Sequence, residues 1–271
     1  MKMDKDARGA RIGEGASSTE VLPRLEDWRT AQDFAKETVR RAILRGDLPG
    51  GARLIQADLA AQLGISTTPI REALRDLAGA GLITLDRNRG GVVREVNWQE
   101  IEEIRQIQEQ LRPLAVALAV HGITDEHLRK AEALADQMDE ETDLANWVDL
   151  NLRFHFLLYE ATGGGRLTAI LKSLEEASTL YVAQAQRWYP EFRREANAVH
   201  RTLIAAYRAR DIDAAVAAMA AGSVRPIEMT DEEERRSAAG EGAGVRQRGA
   251  EERGPGSKRK QEEVPISGGG R

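Results

Sequence analysis

Gly64-Ile-Ser-Thr-Thr-Pro-Ile-Arg-Glu-Ala-Leu-Arg-Asp-Leu77 is the stretch that decides the fold. Its apolar residues Ile70, Ala73, Leu74 and Leu77 recur at three- and four-residue steps, the stripe of an amphipathic helix. Ser66 suits the N-cap, and Pro69 is tolerated in the first turn, where no intrahelical N–H is needed. Thr67, Thr68, Arg71 and Arg75 fall on the other side. Gly64 ends a short preceding helix with Leu54, Leu59, Ala60 and Leu63 as its apolar positions. Further back, Ala31, Phe34, Ala35, Val39, Ala42 and Ile43 predict another helix, stopped by Gly46 and the turn Asp47-Leu-Pro-Gly-Gly51. Downstream the period changes. Leu82-Ile-Thr-Leu85 and Val92-Val-Arg-Glu-Val96 flank an Asn/Gly-rich loop and predict a β-hairpin. Three helices and a hairpin, the last two helices joined at a glycine, predict a winged helix-turn-helix over residues 28–97.

The chemistry of that unit suits double-stranded DNA. The third helix would enter the major groove N-terminus first. Its first-turn N–H groups and the Ser66, Thr67 and Thr68 hydroxyls suit phosphates, while Arg71 and Arg75 can reach guanine edges. Arg87 and Arg89 at the wing tip, with Gly90 permitting close approach, suit the adjacent backbone or minor groove. The competing expectation is that Arg71 and Arg75 only solvate the helix, pairing with Glu72 and Asp76. The net charge of the chain, −5, speaks against a generally basic coat. Its distribution does not: residues 28–97 hold eleven basic against eight acidic side chains, and residues 98–226 fourteen against twenty.

The residues from Ala42-Ile-Leu-Arg-Gly-Asp-Leu-Pro-Gly-Gly-Ala-Arg-Leu54 through Asp58-Leu-Ala60, the stretch Gly64–Leu77, Gly81-Leu82 and Arg89-Gly90 closely resemble the DNA-binding domain of GntR-family transcriptional regulators. The resemblance runs through nearly all of residues 31–96. It implies that Thr68, Arg71 and Gly90 contact DNA, and it adds Arg53 to the DNA-binding set. Thr67 departs from it, since the family usually has Arg there, so operator preference does not carry over.

Residues 98–226 read as helix almost throughout. Ile101, Ile104, Ile107, Leu111, Leu114, Ala115 and Leu118 trace one long helix with Pro113 as a kink, and Thr124 starts the next. Later helices are expected at about 143–161, 166–186, 190–209 and 211–224, giving an antiparallel bundle. The fold class is therefore mainly α. This portion resembles the FadR-type effector-binding domain called FCD, on Asn151, Phe154-His155, His200, Asp211, Ala214-Ala215 and Met219. In that class an Asp and three His usually ligate a divalent metal, often zinc or nickel, that helps hold a carboxylate effector. The resemblance places Asn151, His155 and His200 in that set. Asn151 stands where the Asp belongs, and Gly222 where the third His belongs, so the rival expectation is two buried histidines lining a metal-free pocket. Gln108 and Arg112 replace the usual Arg and Glu of the first long helix, and they join the expected effector pocket. Arg153, Tyr181 and Arg201 face either cavity or solvent, and His121 and His127 read as surface residues.

Composition closes other routes. The absence of Cys excludes disulfide scaffolds, thiolate metal sites and Cys nucleophiles. Residues 1–27 lack the apolar core of a signal peptide and read as a disordered arm. Residues 227–271, rich in Gly and both charges and ending near Lys258-Arg-Lys260, read as a disordered tail. The expectation is a cytoplasmic homodimer that binds an operator, responds to a small organic effector, touches no membrane and acts as a repressor. The alternatives are a regulator whose sensor no longer responds, and a metal-assisted hydrolase built on His155 and His200.

Overall fold

The computed structural model describes residues 29–86, 90–189 and 191–222. The expected arm, the tail, and the wing-tip residues Arg87 and Arg89 lie outside the described residues. In chain order the elements are α1 (Ala31–Arg45), β1 (Arg53–Ile55), α2 (Gln56–Leu63), α3 (Thr67–Gly79), β2 (Ile83–Asp86) and β3 (Gly90–Val93). Then come α4 (Trp98–Gly122), α5 (Asp125–Glu140), α6 (Leu144–Glu160), α7 (Arg166–Ala177), α8 (Thr179–Trp188), α9 (Glu191–Ala209) and α10 (Ile212–Ala221). The first six make a winged helix-turn-helix, and the last seven an all-helical bundle.

The winged part follows its sequence pattern closely. Thr30 caps α1 by accepting from the Asp33 N–H, and Gly46 ends it in the left-handed region at φ +91°. Val39, Ala42 and Ile43 of α1 pack with Ile70, Leu74 and Leu77 of α3 in the core. Two features differ from expectation. Leu54 lies not on α2 but in β1, which pairs antiparallel with β3 and turns the hairpin into a three-stranded sheet of order β1-β3-β2. A three-residue strand whose partner, Val92, is far along the chain leaves no local period to read. Gly90 is buried in that sheet, and its φ is +120°. A Cβ there would stand 1.8 Å from the Leu54 carbonyl oxygen, so the sheet itself requires the glycine.

In the bundle, α4 runs through Pro113 at an exposed position, where water can take the freed carbonyl. The segment expected as one helix over 166–186 is two. Ser178 Oγ donates to the carbonyls of Leu174 (3.0 Å) and Glu175 (3.1 Å), and Thr179 Oγ1 to that of Glu175. Adjacent hydroxyls bonding back to the preceding turn compete with the helix ladder, and one helix ends there and the next begins. Ile107, Leu114 and Leu118 are exposed, 39%, 55% and 46%, on one side of α4.

The two parts meet at α1, which packs against α6 and α8. Arg187 of α8 donates to the carbonyls of Ile43 (3.2 Å) and Leu44 (3.0 Å) in the last turn of α1. Arg40 pairs with Asp149, and Arg45 with Asp143 at 2.6 Å.

Gly90→Ala is expected to cost roughly 3 kcal/mol, from positive-φ strain and the clash with Leu54. Urea denaturation reads this directly, and an unchanged midpoint would contradict the assigned sheet register.

Candidate DNA interface and effector pocket

The outward face of α3 is open and basic. Ser66 occupies the N-cap position, but its side chain makes no capping bond, so the first-turn N–H groups remain available. Ser66, Thr67, Thr68, Arg71 and Arg75 are all exposed, as is Arg53 at the start of β1. Arg71 and Arg75 share one carboxylate. Arg75 Nη1 donates to Glu72 at 2.9 Å and Arg71 Nε at 3.3 Å, and these bonds hold the Glu72 carboxyl below its usual range. Asp76 is not part of that cluster, since it accepts from Gln32 Nε2 at 2.9 Å. Both guanidiniums still expose half or more of their side chains, 51% and 59%.

A cavity of about 260 Å³ opens inside the bundle. Asn151 and His155 of α6 line it, with Arg112 of α4, Glu175 of α7, Tyr181 and Gln186 of α8, and His200 of α9. Trp147, Phe192, Val199 and Met219 supply apolar wall. Arg112 Nη2 donates to Glu175 Oε1 at 2.7 Å, and Tyr159 Oη donates to the same oxygen at 2.7 Å. Burial alone would lower the Arg112 guanidinium, but Glu175 and Tyr159 together more than offset it and raise it above its ordinary value. Burial would raise the Glu175 carboxyl, and Arg112 pulls it below the usual range instead. The two directions agree: this is an ionised pair. The His155 and His200 rings lie 5.5 Å apart, edge to face, and Phe154 sits 4.4 Å from His200. Burial pushes both imidazoles below their ordinary value, His200 further, with His155 adding to its shift. Both are therefore neutral near pH 7.

The sequence pattern described as "Bacterial regulatory proteins, gntR family" matches residues 31–93, and that of the FCD domain matches residues 103–221. Together they take in more than half of the chain. The chain belongs to the GntR family. The HTH-type transcriptional regulator McbR of Escherichia coli is 33% identical over 132 residues, 48% of this chain and 60% of the relative. The uncharacterised regulator YdhC of Bacillus subtilis is 28% identical over 142 residues, 51% of this chain and 63% of the relative. These matches span less than two thirds of the relatives' length. The solved structure of E. coli McbR/YncC superimposes with TM-score 0.58 at 26% identity, covering 71% of this chain and 93% of that one.

Within this GntR frame the expected site residues divide. Arg112, Asn151, His155, His200 and Tyr181 line the cavity, whereas Gln108 is buried outside its lining. Arg201 turns away to pair with Asp136 and Asp139, and Arg153 is exposed. His127 completes the capping box of α5, and His121 is exposed near the same junction. The lining residues that sequence reading missed include Glu175, Trp147, Gln186, Phe192, Glu195 and Val199. No local pattern marks them, because their partners lie on other helices.

A family-type metal does not fit. Among the described residues, no three His, Cys, Asp or Glu side chains are placed to share an ion. Asp211 is spent as the N-cap of α10, accepting from the Ala214 N–H. Gly222 lines the cavity without a side chain, and a Cβ there would stand 2.8 Å from Val199 Cγ1. Two imidazoles and one amide remain, too few for a tight zinc or nickel site.

The buried neutral histidines set a pH dependence. Their folded pKa lies below the unfolded value of 6.5, so the unfolded chain binds more protons as pH falls below that value. Stability is full above about pH 6.5 and declines below it, by up to about 1.4 kcal/mol per pH unit for each imidazole. Thermal unfolding between pH 7.5 and 5.5 should show this slope, and His200→Gln should flatten it. An equal slope in the variant would remove His200 as a cause.

Proposed function

We propose that this chain is a transcriptional repressor that reads an operator with α3 and releases it in response to a small organic molecule in the helical cavity. It acts in the cytoplasm, as a homodimer, without catalysing a reaction. The observation that carries this reading is the face of α3: unbonded hydroxyls, open first-turn N–H groups and two exposed arginines on one side of a helix. That set matches phosphates at its N-terminus and base edges along its side.

Two copies suit the chemistry. One α3 reads only a short half-site, and a two-fold operator supplies a second. The exposed Ile107, Leu114 and Leu118 stripe on α4 offers an apolar face for the partner, beside exposed Ile170 on α7, which packs against α4. The signal has a short route. α8 lines the cavity with Ala185 and Gln186, and the next residue, Arg187, holds the last turn of α1. α6 lines it with Asn151 and His155 while its Asp149 pairs with Arg40. A ligand that prefers one placement of α6 and α8 thereby prefers one placement of α1 and of the α3 packed on it.

A mobility shift with DNA from upstream of its own gene tests the reading. Arg71→Ala should weaken binding by roughly 5- to 150-fold per half-site, the equivalent of about 1–3 kcal/mol for a base contact. Unchanged affinity in that variant, or no binding by the unaltered protein, would reject it. In sedimentation, Leu114→Glu with Leu118→Glu should convert a dimer to a monomer; a dimer that survives both places the interface elsewhere.

A further inference from the structure

Resting on the reading of the cavity as an effector site, we infer that it selects an uncharged ligand: a compact molecule with a flat apolar body and a hydrogen-bonding group, not a carboxylate. Three observations lead there.

The first is the charge balance of the wall. Arg112 is the sole Lys or Arg among the described lining residues, and Glu175 sits on it at 2.7 Å with Tyr159 bound to the same oxygen. The pair is buried and internally neutral. A carboxylate entering here would be desolvated against a cation already engaged, with the Glu195 carboxylate at the exposed edge of the lining repelling it. A ligand cation fares no better inside, because Glu175 is equally engaged. The imidazoles add no charge, being held neutral by burial. Among the described residues, no fitting metal set supplies positive charge either.

The second is a set of unmet polar atoms. His155 Nδ1, His200 Nδ1 and Gln186 Oε1 are buried, belong to lining residues and have no hydrogen-bond partner among the described residues. A neutral imidazole offers one donor and one acceptor nitrogen, and an amide oxygen only accepts. Buried groups left unpaired cost about 1–3 kcal/mol each, so a ligand that both donates and accepts gains by meeting them. A primary amide or a hydroxyl does so; a carboxylate cannot donate to Gln186.

The third is size and wall. The cavity, about 260 Å³, falls just below the usual range for drug-sized ligands, about 300–1,000 Å³. Trp147, Phe192, Val199 and Leu203 supply flat and apolar surface. One ring with a short polar group is the body that suits it.

Benzamide, benzoate and benzamidine share one shape and differ in charge. Their binding to the full chain at pH 7.5 is measured by ligand-observed NMR, with Val199→Phe as the cavity-filling control. Benzamide should bind at least about tenfold more tightly than the two ions, and Val199→Phe should abolish it. Glu175→Gln keeps the shape and frees the Arg112 charge, so it should shift the preference toward benzoate by about tenfold or more. Benzoate preferred by the unaltered chain, or preferred once zinc chloride is added, overturns the inference while leaving the effector site standing. An unmoved preference in Glu175→Gln also overturns it. If none of the three probes binds in a manner that Val199→Phe removes, the effector-site reading fails with it.

Discussion

A guanidinium and a carboxylate held out of water organise the helical half. Arg112 comes from α4, Glu175 from α7, and Tyr159 from α6 closes the cluster on the same carboxylate oxygen. Each ion loses several kcal/mol of hydration on burial, which only good geometry and added hydrogen bonds offset. The Tyr159 hydroxyl supplies one such bond, and burial beside Glu175 raises it well above its ordinary pKa, so it keeps its proton. α7 buries little else, with Thr168, Leu171 and Glu175 as its buried residues. The pair holds α7 against α4 together with the apolar contact of Leu171 with Ala115. Three residues after Glu175, α7 gives way at Ser178 to α8, which lines the cavity and packs against α1. The polarity of the pocket and the path of α8 thus share one origin.

The division of charge along the chain acquires a second meaning at the junction. The winged half is basic and the bundle acidic, which favours DNA at one end. Part of that difference is used internally, since Arg40 and Arg45 of α1 face Asp149 and Asp143 of α6. Ion pairs at partly exposed positions contribute little to stability, but they set orientation. Arg187 adds a part-buried anchor on the last turn of α1, which Gly46 ends at φ +91°, a conformation that favours glycine. On the DNA side, Glu72 between Arg71 and Arg75 moderates the positive face. On the proposed reading, few net charges per protomer keep the salt dependence of DNA binding shallow and leave a single head weak.

Local periodicity made the winged half legible. Ile70, Ala73, Leu74 and Leu77 announce α3, Gly46 and Gly64 mark the ends of α1 and α2, and the residues flanking the Asn/Gly loop announce the hairpin. What stayed hidden depended on distant partners. β1 is three residues long and exists because β3 returns to it. Glu175 matters through a residue 63 positions away. Asn151, His155 and His200 were found by likeness to a family, and the i, i+4 spacing of the first two only agrees with a shared helix face. Gln108 shows the limit of that likeness: it is buried, yet its side chain lies outside the cavity lining. Ile107, Leu114 and Leu118 fit the long-helix pattern, but a stripe cannot say whether its own fold or a second copy covers it.

The departures from the FCD pattern act in one direction. A carboxylate at position 151 with no metal beside it would be a partly desolvated charge on the cavity wall; asparagine removes that cost. A side chain at 222 would press on Val199, which lines the same wall. Arg112, the one cation there among the described residues, is neutralised by Glu175 rather than left for a ligand. A random loss of function would leave unmatched groups of either charge. Here the changes are compatible with one another: Arg112 and Glu175 are paired, and His155 Nδ1, His200 Nδ1 and Gln186 Oε1, open among the described residues, are neutral. Consistency of this kind, across residue identity, packing and electrostatics, is what a pocket specified for a different ligand would show.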